Sequence, residues 1–155
     1  MKDNIKYGWL DINNEEHIGN MKSFRSLYRT STIDETLSHG IGTCIEQVNL
    51  MHTLLDSLNI PNKMFCTRIY EGEDFNDLES DEHMHCFVLY YKDDKVYQIE
   101  HPNWERVGIY EFDSEEDAIN KINQIKSDTK EDTWSLYDKK ISINFMFSAC
   151  IFKIR

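Results

Sequence analysis

From Cys44 to Asn59 the apolar residues Ile45, Val48, Met51, Leu54, Leu55 and Leu58 return at steps of three and four. That spacing lays a single apolar stripe along an α-helix. Thr43 and Glu46 stand where an N-cap and its reciprocal third residue belong, and Pro61 bars continuation past the end. The helix is therefore expected to begin at Cys44. A shorter helix is expected over 31–39, closed by Gly40. The rest of the first forty residues show no clear period and read as turns or strand.

Further along, 63–70, 85–91 and 96–101 are strand-like, and the polar turn Lys92-Asp93-Asp94-Lys95 joins the last two into a hairpin. Residues 108–112 add a strand. Ser114 to Lys126 is a capped helix carrying Ala118, Ile119, Ile122 and Ile125, and 141–152 alternates as a long closing strand. With no repeat, no linker and 155 residues, the expectation is one α+β domain over 1–155, its Cys-bearing helix packed on a mostly antiparallel sheet.

Charge narrows the partners. Twenty-eight acidic against 17 basic residues leave a formal charge of -11, which repels phosphate backbones and anionic lipid heads, so neither nucleic acid nor a membrane surface is expected. No stretch approaches the roughly 20 apolar residues of a membrane span, and the opening Met-Lys-Asp-Asn-Ile-Lys lacks the apolar run of a signal peptide. These features imply a cytoplasmic protein. The four cysteines, at 44, 66, 86 and 150, are widely spaced without a Cys-x-x-Cys, and in a reducing compartment each reads as a thiol.

Of these, Cys44 stands out. A thiol at the first helical position feels the positive end of the helix and its unpaired N–H groups, which stabilise a thiolate nucleophile. The competing reading is a small buried hydrophobe, as most free cysteines are. A partner base separates the two, and His85, opening an apolar strand, is the best of the six histidines. If Tyr91 pairs with Val96, Phe87 opposes Glu100 and Cys86 opposes His101, so Glu100 shares the face of His85 as its diagonal neighbour. A one-residue bulge would exchange Glu100 for His101. In the resulting set, His85 holds the thiolate as an ion pair and later protonates the leaving group, Glu100 fixes the imidazole tautomer, and the Cys44 backbone N–H is one oxyanion donor.

A rival constellation is a metal held by His83, His85, Cys86 and His101, but alternation sets Cys86 on the opposite face from the first two, and no zinc spacing is matched. No metal or cofactor is expected. Cys66, Cys86 and Cys150 read as inert buried thiols. Tyr90, Tyr91, Tyr97 and Trp104 read as core or cleft wall.

Gly42-Thr43-Cys44-Ile45-Glu46-Gln47-Val48, the helix ending at Asn59-Ile60-Pro61, and the strand His85-Cys86-Phe87-Val88-Leu89-Tyr90 together resemble the transglutaminase-like superfamily of papain-like fold. That family's pattern is a Gly-x-Cys helix start, an Ile-Pro after the helix, a His opening a strand and an Asp before Pro on the next strand. The resemblance covers roughly residues 40 to 112 and departs at the acid, which corresponds either to Glu100 by charge or to His101-Pro102 by its proline. Glu100-His101 with Trp104 and Gly108 nearby also resembles a short bacterial branch of the family. The resemblance implies thiol acyl chemistry on a protein, peptide or small amide, through a thioester released to water or to an amine. Two hypotheses follow: a cysteine hydrolase or acyltransferase, or a non-catalytic binding module that keeps the fold.

Overall fold

The expected hairpin lies at the centre of the larger of two sheets. In the computed structural model, which describes residues 4–70, 82–101, 106–125 and 130–135, thirteen elements follow in order. They are β1 (Lys6–Asp11), β2 (Glu16–Ile18), α1 (Phe24–Leu27), β3 (Tyr28–Arg29), α2 (Ile33–His39), β4 (Ile41–Gly42), α3 (Cys44–Ser57), β5 (Asn62–Tyr70), β6 (Glu82–Lys92), β7 (Lys95–Glu100), β8 (Gly108–Phe112), α4 (Glu115–Ile125) and β9 (Lys130–Ser135). The class is α+β with predominantly antiparallel sheets.

The described part of the N-terminal region, unreadable by period, contains a small sheet in which β1 pairs antiparallel with β2 and β3 and parallel with β4. Its strands are two to six residues long, too short for an alternation to stand out. The expected helix over 31–39 is α2, with Thr32 and Glu35 as a capping box and Gly40 at φ 65° as its left-handed cap.

The larger sheet has the order β8-β7-β6-β5-β9, every pair antiparallel. Asp93 and Asp94, both at positive φ, make the two-residue turn between β6 and β7. The observed register pairs Tyr91 with Val96, as the sequence predicts. Strand β9 was not expected; its first three residues, Lys-Glu-Asp, hide it. The proposed strand over 141–152 lies outside the described residues.

Alternation splits this sheet between two helices. One face carries Met64, Cys66, Cys86 and Val88 against Ile45, Val48 and Met51 of α3, with Cys44, Leu55, Met84 and Ile99 at its border. The other carries Phe65, Phe87, Leu89 and Val96 against Ala118 and Ile122 of α4. The stripe of α3 reaches the sheet only over its first two to three turns: Leu54 and Leu58, predicted to continue it, are 48% and 67% exposed.

The reading of four separate thiols is overturned. Cys66 and Cys86 are directly opposed on β5 and β6, their Cα atoms 4.3 Å apart, and form a disulfide in the core. The connection between these strands gives no register from sequence, so the opposition was not legible. Closing a loop across 20 positions is worth about 3 kcal/mol in the chain-entropy account. The Cys66→Ala/Cys86→Ala variant should therefore melt about 6–12 °C lower. An unchanged calorimetric midpoint would show that the bridge does not form in solution.

Among the described residues no helix is long and apolar enough to cross a membrane.

Candidate active site

Cys44 is the first residue of α3, as its sequence position implies, and the start of that helix is held by one carboxylate. Glu46 Oε2 accepts from the Thr43 N–H at 2.8 Å and from the Thr43 hydroxyl, while Oε1 accepts from the Tyr28 hydroxyl and from the Ser31 N–H at 3.3 Å. Glu46, Thr43, Tyr28 and Ser31 are all buried. Gly42 permits this approach, since a Cβ there would lie 2.8 Å from Glu46 Cβ.

The thiol does not have the expected thiolate character. Burial in the apolar cluster pushes the Cys44 pKa up to about 12, and the Glu46 and Glu100 carboxylates add to the rise. The nearby backbone N–H groups of Cys86 and Ile45 offset this only in part. The resting side chain is a neutral thiol, and its proton goes to the Met84 carbonyl, 3.8 Å from Sγ.

The placement of that sulfur follows from the sheet register. A Cα spacing of 4.3 Å between Cys66 and Cys86 is that of a non-hydrogen-bonded antiparallel pair, so the N–H and C=O of Cys86, and by period two those of Met84, point away from β5 and toward β7. The ladder between β6 and β7 ends at Val88 and Ile99. Beyond that end Cys44 Sγ lies against the Met84 carbonyl and the Cys86 N–H, the backbone groups on either side of His85.

His85 and Glu100 meet: imidazole Nε2 lies 2.8 Å from Glu100 Oε2, and both residues are buried. Gln98, also buried, donates from Nε2 to the same oxygen at 3.0 Å. Period two along β7 could have singled out Gln98 as a face-mate of Glu100. With Nε2–H given to the carboxylate, the lone pair of the neutral ring is on Nδ1. The ring leans toward β7, the same lateral side of β6 on which the Cys44 sulfur sits, though its side chain springs from the α4 face with Phe87.

His101 takes a different place. Gln47 donates from Nε2 to the Gly42 carbonyl at 2.8 Å, which turns its Oε1 to His101 Nδ1 at 2.5 Å. His101 is thus tied to α3, and the group against the His85 ring is Glu100. Cys86, in its disulfide, is not available as the metal ligand of the rival reading. Arg106 packs its guanidinium over the Tyr110 ring at 4.8 Å, whereas Trp104 lies outside the described residues.

Two features escaped the sequence. Asp11, Glu15 and His17 bring one potential ligand atom each within 4.8 Å of one another. The Asp11 carboxylate already accepts from the Asn13 and Glu15 N–H groups at 2.7 and 2.9 Å, with His17 at 3.4 Å, so the trio first serves to close the turn after β1. The second is Tyr7, whose backbone pairs with Gly42, two residues before Cys44, in the parallel bridge between β1 and β4. No signal in the sequence connects a tyrosine 37 positions upstream with Cys44.

Comparison with protein-family models, curated proteins and solved structures finds no match to this chain.

Proposed function

We propose that this chain is a cysteine-dependent amide or ester hydrolase or acyltransferase of transglutaminase-like, papain-like fold, with Cys44 as nucleophile, His85 as base and acid, and Glu100 as the carboxylate that orients the ring. One observation carries the reading: the Cys44 sulfur rests against the two backbone groups that flank His85, and His85 is itself held by a buried carboxylate.

Because the resting thiol is neutral, His85 acts as a general base rather than as half of a standing ion pair. Its Nδ1 takes the Cys44 proton as sulfur attacks the substrate carbonyl carbon, and the carbonyl π pair moves to oxygen. Collapse of that oxyanion expels the amine or alkoxide, which leaves with the proton from His85, and a thioester remains on Cys44. Water or an acceptor amine then repeats the sequence in reverse, restoring the thiol. Among the described residues no hydrogen bond joins the Cys44 sulfur to His85 in the free protein, so the ring must approach the thiol in the substrate complex. The substrate class is a protein or peptide amide, or a small amide with an amine acceptor. No cofactor is required, and a cytoplasmic setting keeps Cys44 reduced. The Cys66–Cys86 bridge, fully shielded, is compatible with that setting because exchange requires access to sulfur.

The test is acylation by p-nitrophenyl acetate followed by peptide mass spectrometry. The acetyl adduct is expected on Cys44 and absent in Cys44→Ser. Alkylation by iodoacetamide should climb by about tenfold per pH unit from pH 7 to 10 without a plateau, as a thiol titrating near 12 requires. A plateau below pH 8 would establish a standing ion pair and overturn the general-base step.

The non-catalytic binding module has one observation in its favour, the bond from the thiol to the Met84 carbonyl. Absence of any Cys44 adduct would decide for it.

A further inference from the structure

We propose that Asp11, Glu15 and His17 form a binding site for a divalent transition metal, zinc above all, at the turn between β1 and β2. The site uses no residue of the Cys44–His85–Glu100 set and stands independently of the thiol acyl reading.

The hairpin brings the three side chains together by its period. Its register pairs Trp9 with His17 and Leu10 with Glu16, and one step further the Asp11 N–H donates to the Glu15 carbonyl at 3.1 Å. Trp9, Asp11, Glu15 and His17 therefore share one face. On that face one ligand atom from each of Asp11, Glu15 and His17 lies within 4.8 Å of the other two.

Closing the turn does not use those ligand atoms. Asp11 Oδ1 accepts from the Asn13 and Glu15 N–H groups at 2.7 and 2.9 Å, and the Asn14 N–H reaches the Asp11 carbonyl at 3.0 Å. Asp11 Oδ2 is left over. Asp11 is only 2% exposed, and among the described residues the one polar group at Oδ2 is His17 Nε2, 3.4 Å away. A charge-assisted N–H···O bond spans about 2.7–2.9 Å, so a buried carboxylate oxygen lacks a close counter-charge. The spacing fits two ligands of one ion instead. Zinc–nitrogen and zinc–oxygen bonds of about 2.0–2.2 Å at a tetrahedral angle set the two atoms about 3.4 Å apart.

Both ligands are held from behind. The His17 ring stacks on Trp9, with centroids 4.0 Å and planes 12° apart, and buried Trp9 is itself fixed by its Nε1–H to the Asn20 carbonyl at 2.7 Å. Stacking occupies the face of the imidazole and keeps Nε2, on its edge, turned to Asp11. The two N–H groups on Oδ1 orient the Asp11 carboxylate, as outer partners do for a metal-bound carboxylate. Glu15, exposed, closes the site from the solvent side, and water takes the fourth position of a three-ligand zinc.

Charge and donor type select the ion. Two carboxylates balance a divalent charge, and the net charge of -11 draws cations to the chain. Arg29, on the neighbouring β3, is committed to Glu35 and Asn14. An imidazole beside two carboxylates suits zinc, whereas calcium and magnesium take oxygen ligands. The bound ion clasps β2 to β1, the strand that also pairs with β4 just ahead of Cys44.

The experiment titrates the full chain with zinc chloride in a calorimeter and follows its thermal unfolding with and without the ion. One equivalent is expected to bind, and free zinc a hundredfold above Kd should raise the melting temperature by about 5–11 °C. His17→Gln and Glu15→Gln should each weaken binding by at least about tenfold. The Glu15 side chain is exposed and its turn bonds are made by backbone, so Glu15→Gln removes a ligand while the metal-free melting temperature stays at the parent value. Absence of zinc binding, or an affinity unchanged in either variant, overturns the site. So does a loss of binding in Cys44→Ser, which would move the ion to the thiol. An equal thermal shift from calcium chloride would reduce the cluster to an acidic surface and overturn the transition-metal assignment.

Discussion

Glu100→Gln is expected to slow acylation of Cys44 about 10³- to 10⁴-fold while leaving its alkylation unchanged. Two donors, from His85 and Gln98, converge on one Glu100 oxygen in a buried setting. A carboxylate accepts both and compensates the positive charge that appears on His85 when it takes the thiol proton. A carboxamide of the same size loses the charge, and its NH₂ can face the ring. Nε2 would then accept, the ring proton would move to Nδ1, and the nitrogen needed as base would become a donor. Alkylation draws on the small thiolate population and involves no imidazole proton transfer, so it isolates the effect. The measurement is burst acylation with p-nitrophenyl acetate, and a loss smaller than about tenfold would remove Glu100 from the proposed set.

That division of labour follows from which effect wins at the sulfur. A helix N-terminus is worth about 0.3–1 kcal/mol to a nearby anion, at most about 2 in buried geometries, whereas burial moves a titrating group by as much as 3–5 pKa units. The Cys44 thiol lies in the apolar cluster with two carboxylates near it, and its pKa of about 12 records the outcome. The helix end therefore contributes its N–H groups more than its charge, and activation depends on proton transfer to His85.

What the sequence disclosed was whatever short-range chemistry determines. Thr43 and Glu46 marked the start of α3 to the residue, and the two aspartates of the hairpin turn set the register that brings Glu100 to His85. Pairings across long connections were not legible. Cys66 opposes Cys86 only through the β5–β6 register, and Tyr7 comes beside Gly42 only through the parallel β1–β4 bridge. Periodicity also overstated α3: Leu54 and Leu58 keep the helical rhythm after the helix has run past the sheet face that could bury them. The thiol pKa was misjudged for a related reason, since local position reports the helix end and tertiary packing supplies the desolvation.

The same tertiary demand makes Glu46 the most consequential residue for stability outside the proposed catalytic set. Its side chain satisfies four buried donors from three separate segments: the Tyr28 hydroxyl, the Ser31 N–H, and the N–H and hydroxyl of Thr43. Glu46→Ala leaves all four without their acceptor and opens a cavity at 2% exposure. Stranding the partners of a buried charge costs about 3–5 kcal/mol, which for a chain of this size lowers the melting temperature by about 6–20 °C. The corresponding change at Glu35 of α2, which gives up a partly exposed pair with Arg29 of β3 and its half of the capping box with Thr32, should cost about 1–2 kcal/mol. Thermal unfolding of the two variants side by side tests the contrast, and similar midpoints would show that the Glu46 network contributes no more than a partly exposed pair and a cap. Because this network also fixes Thr43, and with it the first residue of α3, Glu46→Ala should slow Cys44 acylation even well below its melting temperature. A change of melting temperature without a change of rate would separate the stability of the helix start from the placement of its thiol.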